Sequence, residues 1–256
     1  MILALIVDLN SADALILSAF KLSVQLGKQF GVMSLVADND LIAGCKNELY
    51  NGVAVLHIEN AYVSVRQAEL NDLPDICEEI EVSFLLIQLP NKQVKNLRNW
   101  LKYCRNLRIP YVFFRDSFTS IHLSTVILPV GFLEEEMEKA QFASAFGRFC
   151  GSEIKMLLAN DYGSKAATNA AKMKELFDKF TFGYSLEKAV RDSFKVDIEA
   201  IDKAEKEQAD MVIVSASRDY GLDDLFFGPK EYHIVKKSSV PVLLVNPRGD
   251  LYALCD

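Results

Sequence analysis

Short apolar runs alternate with longer helical patterns along the whole chain, and this alternation constrains the fold more than any other feature of the sequence. Runs such as "MILALIVDL" and "FLLIQL" have the length and composition of buried strands, and the stretches between them have helical periodicity. Strands that alternate with helices are typical of parallel sheets covered by helices. The chain is therefore predicted to be an α/β protein.

The predicted elements fall into two sets of five strands. In the first half, strands are predicted at residues 2–8, 32–37, 53–58, 83–89 and 111–114, with helices at 12–30, 40–50, 64–80 and 92–107. In the second half, strands are predicted at 125–130, 153–159, 181–186, 211–215 and 242–246, with helices at 134–150, 164–180, 198–208 and 229–238. The two sets are offset by roughly 120 to 130 residues, which indicates an internal duplication. We predict two tandem domains, residues 1–116 and 124–256, joined by the polar segment "DSFTSIHLS".

Composition and charge exclude several classes of protein. The chain has 256 residues, of which 50% are hydrophobic and 25% charged, as expected for a globular protein with a sizeable core. The formal net charge of -7 argues against general nucleic-acid binding, which needs a concentrated basic surface. The opening run "MILALIVDLN" is too short to cross a membrane and lacks the basic start of a signal peptide. The 5 cysteines are scattered and form no metal-binding pattern, so a reducing cytoplasm and no bound metal are expected.

Several segments of the second half resemble the universal stress protein family. The most recognisable are "ADMVIV" and "SSVPVLLV". The longer segment "TVILPVGFLEEEMEKAQFASAFGRFCGSEIKMLLA" resembles the family's first strand, first helix and second strand. The first half resembles the same domain more faintly, through "ALIVDLNSAD", "LGKQFG" and "IPYVFF". The resemblance implies two tandem doubly wound domains, each with a five-stranded parallel sheet of order 3-2-1-4-5, similar to the adenine nucleotide alpha hydrolase fold.

Some members of that family bind ATP at the carboxyl ends of strands 1 and 4, where the strand order reverses. ATP-binding members resemble one another in a Gly-x2-Gly-x9-Gly-Ser/Thr pattern after strand 4, whose glycines let backbone NH groups approach the phosphates. With Gly228 as the last glycine, the pattern places the first glycine on Ser215, the second on Arg218 and the Ser/Thr on Pro229. The aspartate near the base corresponds to Gly131. These positions therefore predict the remnant of a nucleotide crevice.

The first half keeps a different part of the family pattern. Asp8 ends strand 1 in "IVDLNSAD", where the family's aspartate would lie, but the segment after strand 4, "IQLPNKQVKN", contains no glycine. A second interpretation makes Asp8 and Asp13 paired carboxylates for acid-base chemistry or Mg²⁺, and Arg218 an anion ligand. The favoured interpretation is structural: Asp13 begins a helix, Asp8 is a strand-end remnant, and neighbouring aspartates neutralise Arg218.

The resemblance implies a cytoplasmic stress-response protein that acts as a binding or interaction module. We expect no enzymatic activity, no catalytic residues and no cofactor; the alternative is an adenine-nucleotide-binding sensor or weak nucleotide hydrolase that binds ATP through Asp8 and Arg218. The expected partner is an unidentified protein, with no nucleic acid or membrane. The apolar final strands "YVFF" and "VLLV" would be edge strands in the 3-2-1-4-5 order. We expect them to pair with each other in an internal pseudo-dimer, so that any homodimer uses other surfaces.

Overall fold

A computed structural model describes residues 1–217 and 228–248 of the chain. The chain divides into two compact units, Met1–Ile121 and His122–Asp256, and the division falls within the polar segment 116–124. None of the described helices combines the length and the apolarity that a membrane span requires.

The first unit contains five strands and four helices that alternate along the chain. The strands are β1 (Ile2–Leu5), β2 (Phe30–Val36), β3 (Tyr62–Gln67), β4 (Phe84–Leu89) and β5 (Tyr111–Arg115). The helices are α1 (Asp13–Gln25), α2 (Ile42–Val55), α3 (Leu73–Glu79) and α4 (Leu97–Cys104). The strands pair in parallel in the order β3-β2-β1-β4-β5, which confirms the predicted order 3-2-1-4-5 for this half.

The sequence prediction is wrong at the third strand, which it places at residues 53–58. Helix α2 continues through Val55, because Leu49 and Val53 lie four residues apart and bury the same face of the helix. The strand is instead β3, in which Val63 and Val65 are buried and their neighbours are more exposed. This period of two is typical of a strand with one covered face. Because β3 occupies residues predicted to be helical, the third helix begins at Leu73.

The second unit repeats this arrangement. Its strands are β6 (Thr125–Val130), β7 (Glu153–Leu158), β8 (Tyr184–Lys188), β9 (Met211–Ser215) and β10 (Val242–Val245). Its described helices are α5 (Met137–Ala145), α6 (Lys165–Asp178), α7 (Val196–Glu207) and α8 (Lys230–Lys237). Within the unit the strands pair in parallel in the order β8-β7-β6-β9-β10, so the predicted order 3-2-1-4-5 is confirmed here too.

The central strands form the core of each unit. Strands β4 and β9 are buried along their full lengths, as expected for parallel strands covered on both faces. Polar side chains in such strands are costly unless their hydrogen bonds are satisfied. Two buried polar side chains, Gln88 in β4 and Ser215 in β9, lie near the carboxyl ends of these strands.

Candidate functional site

The candidate sites lie at the carboxyl ends of the parallel strands. In each unit the strand order reverses at the central pair, which is β1 and β4 in the first unit and β6 and β9 in the second. Connections leave these two strands in opposite directions, so an open α/β sheet has a crevice at this edge. The two crevices are lined by different chemistry.

Gln88 organises the carboxyl end of the first unit's central strands. Its Oε1 accepts hydrogen bonds from the backbone NH groups of Val7 and Asp8, both at 2.7 Å. Its Nε2 donates to the Asp8 carbonyl oxygen at 2.8 Å and to Ser11 Oγ at 3.1 Å. Because Gln88 is only 1% exposed, these bonds hold the end of β1 against β4 in a site from which water is largely excluded.

Replacing Gln88 by leucine is expected to lower the free energy of unfolding by about 2–4 kcal/mol, because two NH groups and one carbonyl lose their buried partner. The control is Gln29→Leu at an exposed position, which should change stability by less than about 0.5 kcal/mol. Urea denaturation followed by circular dichroism measures both changes. Equal midpoints for the two variants would show that Gln88 does not fix this strand end.

Asp8 forms an ion pair at the surface beside this strand end. Its Oδ2 lies 2.8 Å from Lys92 Nζ, and its Oδ1 accepts from the backbone NH of Asn10 at 3.2 Å. The hydrogen bond from Lys92, followed by those from Asn10, lowers the pKa of Asp8, and the same pair raises the pKa of Lys92. Asp13 begins helix α1 as an acidic first-turn residue. The ion pair between Asp8 and Lys92 was not predicted from the sequence.

A cavity of about 800 Å³ opens beside these residues, entirely within the first unit. It lies over the carboxyl ends of β1, β2 and β3, where Leu5, Val36 and Gln67 line it. Gln93 and Trp100, which follow β4, also line it, so the cavity reaches the reversal point of the strand order. Asp8 is not among its lining residues.

The charged residues at this cavity all carry the same sign. Glu48, Glu69 and Asp72 line it, and none of the described lining residues is lysine, arginine or histidine. Glu69 and Asp72 form a capping box at the start of a 3-10 turn, where the Glu69 NH donates to Asp72 Oδ2 at 2.9 Å. The lining therefore favours cationic or neutral groups over anions.

The corresponding edge of the second unit is occupied by the chain's own carboxylate. The Gly131 NH, directly after β6, donates to Glu136 Oε2. A Cβ atom at Gly131 would lie 2.9 Å from Glu136 Oε1, 3.1 Å from Oε2 and 3.1 Å from Ser193 Oγ. A side chain at position 131 would therefore require the buried Glu136 carboxylate to move.

Two lysines, one buried and one partly exposed, interact with charged groups at this edge. The Lys139 side chain is 0% exposed, and its Nζ lies 3.5 Å from Glu136 Oε2. Lys230 Nζ lies 3.1 Å from Asp197 Oδ2. Burial lowers the pKa of Lys230, but the nearby charges of Asp197 and Glu136 outweigh it, so the net pKa is raised and the lysine is held charged.

Hydrogen bonds from polar side chains connect the loops that follow β6, β7 and β8. Asn169 Nδ2 donates to the Gly131 carbonyl at 3.0 Å and to the Leu133 carbonyl at 2.9 Å. Ser193 Oγ accepts from the Phe132 NH at 2.9 Å, and the Ser193 NH donates to Asp161 Oδ1 at 2.9 Å. Helix α6 and the loops after β6, β7 and β8 therefore meet around Gly131.

The remaining residues predicted for this crevice lie around β9. Ser215 ends the strand and is buried, with no hydrogen-bond partner for its Oγ. Gly228 has a φ of +87°, a conformation that favours glycine, and Pro229 stands just before α8 as its N-cap residue. Arg218 lies outside the described residues. No group of three or more His, Cys, Asp or Glu side chains suited to a metal ion occurs within residues 1–217 and 228–248.

The sequence prediction missed Gln88, Glu136, Lys139 and Lys230. For Gln88 a signal was present, since it is the single polar residue in the apolar run "FLLIQL". Glu136 belongs to "LEEEMEKA", which has the composition of an ordinary acidic helix start. Its burial depends on a 3-10 turn at Glu134–Glu136, and its spacing of three from Lys139 was the signal that could have found the pair.

Comparison with known proteins gives a family match for most of the second unit. Residues 125–246 match the family model described as the universal stress protein family. No curated protein matches the chain significantly.

Several solved structures are similar over nearly the whole chain. A universal stress protein from Archaeoglobus fulgidus DSM 4304 is 14% identical, with a TM-score of 0.61, and the match covers 97% of each chain. A putative universal stress protein from Pseudomonas aeruginosa UCBPP-PA14 is 13% identical, with a TM-score of 0.62, and the match covers 99% of this chain and 94% of that one. At such identities the likeness shows the fold alone.

Proposed function

From the match of residues 125–246 to the universal stress protein family model, we propose that the protein is a binding module and not an enzyme. In this proposal the crevice of the first unit receives a small molecule. The crevice of the second unit has lost nucleotide binding, because the chain's own charged side chains occupy it. No catalytic residue is assigned in either unit.

The position of the Glu136 carboxylate carries the proposal. It lies against Gly131, the place of the aspartate in the nucleotide-binding pattern, so a side chain at that position would have to displace it. A nucleoside triphosphate entering this region would bring negative charge beside the buried Glu136 and Asp197, and would disturb the buried Lys139 pair and the partly exposed Lys230 pair. Separating buried charges from their partners is strongly unfavourable.

Two further features support the loss of ATP binding. In the second unit Pro229 supplies neither the NH nor the hydroxyl that the pattern's Ser/Thr would offer to a phosphate. In the first unit the cavity is lined by carboxylates, and Lys92 is paired with Asp8. Neither crevice thus combines a glycine-rich phosphate loop with unpaired basic groups among its described residues.

Isothermal titration calorimetry with Mg-ATP tests this proposal. We expect a dissociation constant of about 1 mM or weaker, which is a free energy no more favourable than about -4 kcal/mol. A titration into buffer alone supplies the heat of dilution. Micromolar affinity would contradict the proposal and favour the alternative, an adenine-nucleotide-binding sensor. Phosphate release from ATP that Asp8→Asn abolishes would instead favour a weak hydrolase.

A cytoplasmic location, a stress-response role and an unidentified protein partner belong to the same proposal. The four cysteines in the described part of the chain, Cys45, Cys77, Cys104 and Cys150, are free thiols, which fits a reducing compartment. Burial raises the pKa of Cys77 to about 12, which disfavours the reactive thiolate at neutral pH. The internal pseudo-dimer and any homodimer stay predictions.

A further inference from the structure

We propose that the cavity of the first unit binds an organic cation, a small molecule with an apolar body and a protonated amine. The inference rests on the proposed function and names the chemical class of its ligand. It follows from three properties of the cavity: its volume, its apolar wall and the sign of its charges.

The volume and the wall fit a compact organic molecule. The cavity has about 800 Å³, within the range of roughly 300–1,000 Å³ that small-molecule sites occupy. Leu5, Val36 and Leu70 form part of the wall together with the Trp100 indole. Trp100 is 5% exposed, and its Nε1 donates to Gln93 Oε1 at 3.3 Å, so the ring is held in place by packing and a hydrogen bond. An apolar body can therefore be buried against a fixed aromatic surface.

The carboxylates determine the preferred charge of the ligand. Glu48 lies on α2 three residues after Cys45, so both side chains belong to the helix face that lines the cavity. Glu69 and Asp72 contribute from the turn after β3, and their capping box fixes that turn. Without a lysine, arginine or histidine among the described lining residues, a protonated amine is attracted and a carboxylate or phosphate is repelled.

The chain contains a reporter for this cavity, because Trp100 is the single tryptophan in the sequence. The probes are 4-phenylbutylamine and 4-phenylbutyrate, which share the phenylbutyl body and differ in the charge of the head group. Tryptophan fluorescence excited at a wavelength that phenyl rings do not absorb reports occupancy of each probe. We expect a saturable change with the amine, and binding about tenfold tighter than that of the acid.

Three variants locate the binding. Glu48→Gln removes one lining carboxylate and should reduce the preference for the amine about twofold to threefold. The matched control Glu59→Gln removes an exposed charge outside the lining and should leave the preference unchanged. Cys45→Phe places a ring at the lining position and should abolish binding of both probes, with circular dichroism confirming that the variant is folded.

Equal affinity for the two probes, a preference for the acid, or no saturable change with either probe up to about 10 mM would overturn the inference. So would an equal effect of Glu48→Gln and Glu59→Gln. These outcomes are distinct from failure of the proposed function, which would appear as micromolar binding of Mg-ATP. Weak ATP binding together with failure of the amine to bind would overturn only the assignment of the ligand class.

Discussion

Replacing Glu136 by alanine is expected to lower the free energy of unfolding of the second unit by about 3–5 kcal/mol. The Lys139 side chain is completely buried, and its Nζ lies 3.5 Å from Glu136 Oε2 without a hydrogen bond, so the variant removes the carboxylate next to this buried amine. The Gly131 NH also loses its acceptor. Urea denaturation monitored by circular dichroism measures the change.

The control is Glu134→Ala, two residues earlier in the same 3-10 turn. Its carboxylate pairs with Lys172 at 3.4 Å on the surface, so its loss should cost less than about 1 kcal/mol. The double variant Glu136→Gln with Lys139→Met keeps an acceptor for Gly131 and removes both charges, and should recover most of the lost stability. Equal costs for Glu136→Ala and Glu134→Ala would show that the buried pair does not hold this crevice closed.

Introducing an aspartate at Gly131, the residue type of the family's nucleotide-binding pattern, is expected to destabilise the second unit by about 3 kcal/mol or more. Its Cβ would lie 2.9 Å from Glu136 Oε1, and its carboxylate would stand beside a second buried carboxylate. ATP affinity should not rise. Calorimetry with Mg-ATP and urea denaturation test the two parts of this prediction.

Gly163→Asp is the matched control, because a Cβ atom at Gly163 meets no atom within 4 Å. It should change stability by less than about 0.5 kcal/mol. Adding Glu136→Gln to Gly131→Asp removes the repulsion between like charges and should recover part of the loss. A Gly131→Asp variant as stable as the wild type, or one that gains ATP affinity, would mean that the crevice accommodates the aspartate and that Glu136 does not fill it.

The alternation of strands and helices was sufficient to predict the α/β class and most of the elements, whereas the strand order was implied by the family resemblance. Strand β9 was predicted with its observed bounds, because the short apolar run "MVIV" begins directly after Asp210 and ends at Ser215. The third strand of the first unit was placed wrongly, because Val53 and Val55 give the end of helix α2 the composition of a strand. The end of helix α2 can be told from a strand only by comparison with β3. In β3, Val63 and Val65 alternate with more exposed residues, as in a strand with one covered face.

The site was less predictable because it depends on tertiary contacts. Gly131 was identified as the place of a missing aspartate, but its neighbour in space, Glu136, depends on how a turn folds back onto the strand end. The Asp8–Lys92 pair likewise joins residues 84 positions apart. Local sequence predicts which residues lie at the end of a strand. It does not predict which side chain fills the crevice there, because that depends on packing between segments far apart in the sequence.

A crystal structure of the protein soaked with 4-phenylbutylamine and Mg-ATP tests the central claim most directly. The claim is that the first unit's crevice is open to a cation and the second unit's crevice is filled by its own carboxylate. The expected result is density for the amine against Trp100, with the Glu136 carboxylate bound to the Gly131 NH and no nucleotide beside it. ATP bound in the second unit, with Glu136 displaced from Gly131, would contradict the account.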